Sequence, residues 1–264
     1  MRNLLIHADA SRAMAARTET ALAIGRRHRS HLSFLIASPF QQFIATDPFG
    51  GMYLAAGQLA KAELADQELA ERLATELARE DVPWDVAIAD GDVLSAMSLA
   101  ATLADLAIVS LGQPNTPMRA GDLALTVPVP VLAIPESSGP VDLDAPVMVA
   151  WNGSPQAAHA LRAAVPLIRD ASEVILVTVG ADDGRIPAED ALRYLSRHGI
   201  HADFRQVERG TVTAEEILEQ QAKTIAPGLI VMGAFGRPRL RETLFGGVTR
   251  YLLEAAPAPL LLAH

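Results

Sequence analysis

The chain contains no cysteine. That excludes a disulfide framework, a thiol nucleophile and any metal site built on cysteine sulfur. No apolar run approaches the length a bilayer-crossing helix requires. The opening Leu4-Leu5-Ile6 is broken by His7 and Asp9, which reads as a buried strand and not as a secretory leader. No membrane association and a cytoplasmic location are therefore expected. Positive charge is also in short supply: 22 Lys and Arg stand against 31 Asp and Glu, for a formal charge of −9. Nucleic acid, which needs a basic face, is not an expected partner. A small anion remains compatible, because converging amides and arginines outweigh a distant net charge. The signatures of dedicated catalysis are missing too. There is no Gly-x4-Gly-Lys-(Ser/Thr) loop, no Gly-x-Ser-x-Gly elbow, no kinase set and no paired-carboxylate motif. The seven histidines are scattered and show no His-Glu-x-x-His spacing, so no catalytic residue and no metal ligand is assigned.

What is present is an internal repeat. Leu4-Leu5-Ile6-His7-Ala8-Asp9-Ala10-Ser11 opens the first half and Val147-Met148-Val149-Ala150-Trp151-Asn152-Gly153-Ser154 the second, each before an Ala-rich segment. Strand-like runs follow at 32–37 and 174–179, then at 106–111 and 229–232. Each half closes on a short apolar strand beside proline, at 129–134 and 257–262. Between them, 202–208 alternates as a strand, and Thr213-Ala214-Glu215-Glu216 looks like a helix start with acids in its first turn. Residues 59–77 read as an amphipathic helix with Leu59, Leu64, Leu69, Leu73 and Leu77 as its apolar ridge. Alternating strand and helix implies βαβ units around mostly parallel sheets. The polar stretch Pro135-Glu136-Ser137-Ser138-Gly139-Pro140 marks a linker. Two domains of similar size are expected, at 1–138 and 142–264.

The second half carries the one constellation that suggests chemistry. An apolar strand runs into Gly233-Ala234-Phe235-Gly236, a basic loop with Arg237, Arg239 and Arg241 follows, and Gly246-Gly247-Val248-Thr249 opens a helix. Glycine lets a ligand touch the main chain, and the amides of a helix start suit a phosphate. The same glycines could serve only as tight turns, and the arginines only as a solvated loop. Thr249 could bond a phosphate or cap the helix. Ser154, just before Pro155, reads as a helix cap and not as a nucleophile. Trp84 and Trp151 read as packing residues. In the first half Leu111-Gly112 runs into Gln113-Pro114-Asn115-Thr116-Pro117, and no second glycine pair follows. The first half keeps the pattern but lacks the phosphate loop, and its Asp9 and Ser11 echo the Asn152 site as a relic.

These residues resemble the universal stress protein family in its tandem two-domain form. Gly233, Gly236 and Gly246 match the family's Gly-x2-Gly-x9-Gly-(Ser/Thr) spacing, and Trp151-Asn152-Gly153-Ser154 resembles its opening Asp-Gly-Ser. The resemblance implies two Rossmann-like domains of the adenine nucleotide alpha hydrolase type. Each would hold a five-stranded parallel sheet of order 3-2-1-4-5 flanked by helices. The two final strands would meet between the halves in an intramolecular pseudo-dimer, and a further homodimer is compatible with this.

It also implies binding of ATP or another adenine nucleotide, with Mg²⁺ as a candidate companion, in a stress-response role. Asn152 would lie near the adenosine, Val179 would contact adenine through its backbone, and Gly233 and Gly236 would approach ribose and phosphate. Gly246, Gly247, Val248 and Thr249 would hold the phosphates. Two residues depart from the pattern: Asn152 stands for the usual Asp, and Gly247 for the usual Ser or Thr. A missing neutral hydrogen bond is worth about 1 kcal/mol, enough to weaken binding several-fold. A nucleotide-free scaffold of the same fold is the alternative reading, and a slow ATP hydrolase the third.

Overall fold

Runs of Val, Ile and Leu bounded by Gly, Pro and Asp form the strands, and their two-sided burial places them inside a parallel sheet. The structure, a computed structural model, describes residues 1–38, 44–46, 52–54, 56–111, 118–181, 185–234, 247–255 and 257–264. The first half comprises β1 (Asn3–Ala8), α1 (Met14–His28), β2 (His31–Ser38), a small hairpin of β3 (Ile44–Thr46) and β4 (Met52–Leu54), α2 (Ala56–Leu77), β5 (Trp84–Asp90), α3 (Val93–Ala100), β6 (Leu106–Ser110), α4 (Ala120–Thr126) and β7 (Val131–Ile134). The second half comprises β8 (Val147–Trp151), α5 (Pro155–Ile168), β9 (Val174–Val179), α6 (Ala188–Arg197), β10 (Asp203–Val207), α7 (Ala214–Ile225), β11 (Leu229–Gly233), α8 (Gly247–Ala255) and β12 (Leu260–Ala263).

Ten strands join in one sheet, in the order β10-β9-β8-β11-β12-β7-β6-β1-β2-β5. Counted within each half, apart from the hairpin, this is 3-2-1-4-5 twice. Every pairing inside a half of this sheet is parallel. The halves meet at the antiparallel pair β12–β7, where Leu261 faces Leu132. β6, β7 and β12 are apolar and buried along nearly their whole length because helices cover both faces of the sheet. The outermost strands β5 and β10 expose most of their residues, as edges do.

Helices α1, α2, α5 and α6 pack on one face, around Ile6, Phe34, Val149 and Leu176. Helices α3, α4, α7 and α8 pack on the other, around Leu5, Val109, Met148 and Ile230. The connection between halves is tied to α1: Thr20 Oγ1 accepts from the Val141 amide at 3.0 Å. Arg27 reaches Asp144 at 2.9 Å and Asp170 at 3.4 Å.

Two sequence expectations need adjusting. The ridge of α2 holds only for Leu69, Leu73 and Leu77, which are buried, whereas Leu64 is 61% exposed. Five residues separate Leu64 from Leu69, and at roughly 100° per residue that turns Leu64 to the far side. The strand β5 was implied by the five-stranded order but not located in the sequence, its apolar run Val86-Ala87-Ile88-Ala89 being short, and helix α3 and the small hairpin were not foreseen. Helix α7 begins as expected: Thr213 accepts from the Glu216 amide at 3.3 Å, and the Glu216 carboxylate accepts from the Thr213 amide at 3.1 Å. This reciprocal pair satisfies two otherwise orphan donors.

Candidate functional site

In an open parallel sheet, ligands settle at the carboxyl ends of strands where the order reverses. In the second half that point is β8, which has β9 on one side and β11 on the other. Ala150 pairs with Met232 across β8–β11, and Trp151 with Thr178 across β8–β9. Asn152, Val179 and Gly233 are each the next residue or next but one along their strands, so the register brings all three to one edge. Asn152 is exposed there and turns the chain, its Oδ1 accepting from the Ser154 amide at 3.2 Å. Ser154 caps α5 by accepting from the Ala157 amide at 3.1 Å, with Pro155 in the first turn. Trp151 is buried, and its Nε1 donates to the Ile186 carbonyl at 3.3 Å.

Gly233 has a structural duty of its own. A Cβ there would overlap the backbone of Gln156 and Ala157. The missing side chain is what lets the first turn of α5 rest against the end of β11. Gly247, Val248 and Thr249 form the first turn of α8; Gly247 is exposed, Val248 half-buried and Thr249 buried. Gly236 and Gly246, with Phe235 and the arginines at 237, 239 and 241, lie outside the described residues.

Sequence reasoning missed Glu215. Its carboxylate, from the first turn of α7, fills the space that a side chain at Gly247 would need. The neighbouring acids continue along α7: Tyr251 of α8 donates to Glu219 at 2.6 Å, and Lys223 pairs with Glu219 at 2.6 Å. The hydrogen bond to Glu219 raises the Tyr251 pKa, with burial and the charges of Glu219, Glu216 and Glu215 adding to it. The amide-rich start of α8 thus already has a carboxylate beside it. The signal was the acidic first turn of α7; what the sequence could not give is its distance from Gly247.

The first half has the same reversal at β1, between β2 and β6. Leu4 pairs with Leu106 as Val147 pairs with Leu229. Counting on from these pairs makes Asp9 the counterpart of Asn152, and Ser110 that of Gly233. Asp9 makes the same turn, accepting from the Ser11 amide at 3.0 Å.

Beyond that the two ends differ. Arg17 of α1 is fully buried, at 0% exposure. Its Nη1 donates to Ser110 Oγ at 2.7 Å and its Nη2 donates to Asp9 Oδ1. Nη2 also lies 3.4 Å from Ser11 Oγ and 3.4 Å from Met14 Sδ. His7 Nδ1 stands 3.6 Å from the other oxygen of Asp9. Burial, then the positive charge of Arg17, push the His7 pKa down to about 4, against a smaller upward pull from Asp9. Burial alone would raise the Asp9 pKa, but Arg17 and the Ser11 hydrogen bond together hold it below the usual carboxylate value. Asp9 is therefore occupied in an ion pair and is not an idle vestige.

Among the described residues no cluster of three His, Asp or Glu side chains is placed to hold a metal ion. No helix among them is long and apolar enough to cross a membrane.

A parallel sheet covered on both faces, with a reversal of strand order in each half, defines a Rossmann-like α/β fold. Residues 145–264 match the model of the Universal stress protein family. The whole chain has the fold of a universal stress protein from Archaeoglobus fulgidus, at 14% identity and TM-score 0.76, covering 99% of this chain and 97% of that one. A functionally unknown protein from Pseudomonas aeruginosa aligns over 100% of this chain and 92% of its own, at 17% identity and TM-score 0.64. A candidate universal stress protein from the same species aligns over 100% and 93%, at 19% identity and TM-score 0.62. No curated protein sequence matches the chain.

Proposed function

We propose that the second half binds an adenine nucleotide at the β8 reversal, in a stress-linked and cytoplasmic role without dedicated catalysis. The observation that carries this reading is the convergence of Asn152, Val179 and Gly233 on one strand edge, combined with the spacing of Gly233, Gly236 and Gly246 in the sequence. Asn152 would face the adenosine and the Val179 backbone the adenine. Gly233 and Gly236 would let ribose and phosphate approach, and Gly246, Gly247, Val248 and Thr249 would present amides to the phosphates. Helix amides favour negative charge at short range. The amide of Asn152 can donate as well as accept, which suits a ribose hydroxyl or a ring nitrogen. We place the functional division at 1–138 and 142–264, with ATP and Mg²⁺ as the ligand to try first.

Equilibrium dialysis of nucleotide-free protein against ATP and Mg²⁺ tests this. Saturable binding of one ATP per chain is expected. Gly246→Asp should abolish it by setting a carboxylate against phosphate. No binding up to millimolar ATP overturns the reading, and binding unaffected by Gly246→Asp moves the site elsewhere. A nucleotide-free scaffold is the second reading, favoured by the Glu215 carboxylate beside Gly247. It requires that protein purified from cells carry no small molecule. A slow hydrolase requires ATP turnover above that of the Gly246→Asp protein.

A further inference from the structure

The reversal point of the first half differs from that of the second at several matched positions, among them Asp9 for Asn152, Ser110 for Gly233 and Arg17 for Ala160. At Gly233 the absent side chain seats α5 against β11. Its counterpart Ser110 has a Cβ, and the first turn of α1 is built differently. Ser154 caps α5, but α1 starts at Met14 after Ala13, with no side-chain cap. The position that matches Arg17 by the same count is Ala160, which is small and fully buried. Where the second half has Gly and Ala, the first has Ser and Arg, and the guanidinium bridges Ser110 to Asp9. Those are the counterparts of Gly233 and Asn152, the two residues proposed to flank the nucleotide.

We infer that Arg17 is the built-in occupant of the first-half crevice, closing it to nucleotide, so that the chain takes nucleotide in its second half alone. The closure rests on the nucleotide reading of the second half only for its consequence, one site per chain. Its physical basis is independent. A guanidinium with no solvent exposure cannot recruit a passing phosphate: Nη1 and Nη2 are already directed at Ser110 and Asp9, and Nε is buried out of reach without a partner. An incoming adenosine would have to strip a desolvated cation of its carboxylate, and nothing else described within hydrogen-bond reach would neutralise that charge. Arg17 thus acts as a specificity residue by exclusion.

Two measurements on the full chain test this. The first is a methyl NMR titration with ATP and Mg²⁺, and separately with adenosine. It reads Ala8 and Ala37 in the first half, and Ala150 and Val179 in the second. Only the second-half methyls should shift. Parallel saturable shifts at Ala8 and Ala37 overturn the closure. Silence at Ala150 and Val179 overturns the nucleotide reading of the second half and leaves the closure to the second measurement.

The second measurement uses the absence of native cysteine. Met14→Cys places a single thiol beside Arg17. Its labelling by a thiol reagent should rise at least tenfold with Arg17→Ala and stay unchanged with Arg17→Met, which keeps the bulk. A control thiol at Ala164→Cys, in the second-half core, should not respond. Equal labelling in all three Met14→Cys proteins overturns the closure. A matching rise at the control overturns it too, because it would make Arg17 a general core residue.

Discussion

Gly233, at the end of β11, lies against the backbone of Ala157 in the first turn of α5, too close for a side chain to intervene. A Gly233→Ala substitution forces a Cβ into main chain that cannot rotate away. Overpacking of this kind costs about 1–3 kcal/mol, read as a lower urea midpoint with unchanged m-value. Gly247→Ala meets only the tip of the flexible Glu215 side chain and should change stability by less than about 0.5 kcal/mol. Equal losses at the two glycines would contradict this account of Gly233.

Stability should fall on acidification through His7. Its folded pKa is about 4, below the ordinary 6.5. Between those values the unfolded chain binds a proton that the folded chain refuses. The contribution is therefore complete above pH 6.5 and lost as pH falls to about 4, amounting to roughly 3 kcal/mol. Asp9, with its pKa lowered, adds a loss of the same sign below the ordinary carboxylate pKa. Urea titrations from pH 7 to 4 check this. His7→Ala should flatten the slope across that window, and an unchanged slope would assign it to other groups.

Glu215 should oppose an anion at the start of α8. Its carboxylate stands where a side chain at 247 would be. Glu215→Gln keeps the shape and removes the charge, so ATP affinity measured by calorimetry should rise several-fold, more at low salt than at high. Gly247→Ser should give a similar gain by displacing Glu215 and restoring a hydroxyl donor. A fall in affinity with Glu215→Gln would instead assign Glu215 a supporting role.

Thr213→Ala removes one side of the reciprocal cap on α7. The expected cost is about 1 kcal/mol, seen as a lower melting temperature by circular dichroism. Thr213→Ser should recover most of it.

The fold was legible because the repeat exposes its own architecture. Each half shows matched apolar strands at matched intervals, and the buried parallel ladder follows from composition at β6, β7 and β11. The misses have physical causes. Strand β5 is an edge with most of its residues exposed, and its apolar run, Val86-Ala87-Ile88-Ala89, is too short to stand out. Leu64 sat in a leucine series whose spacing broke step with the helix. At the candidate site, Asn152 and Val179 came from the family resemblance and Gly233 from its glycine spacing, and the strand register is what sets the three at one end of the sheet. Arg17 and Glu215 were not found, because what matters about each is a contact across 93 residues to Ser110 or between two helices. An arginine in an Ala-rich segment looks like surface until the sheet brings Asp9 and Ser110 to either side of it.

The segment between β7 and β8 places both copies of the repeat on one polypeptide. In a symmetric pair of separate chains every substitution appears twice, so a cation planted in one crevice would be planted in both. Covalent linkage removes that duplication. Arg17 could arise opposite Ala160, and Ser110 opposite Gly233, with neither change imposed on the other side. Covalent linkage is thus what lets the two halves carry different residues at matched reversal points.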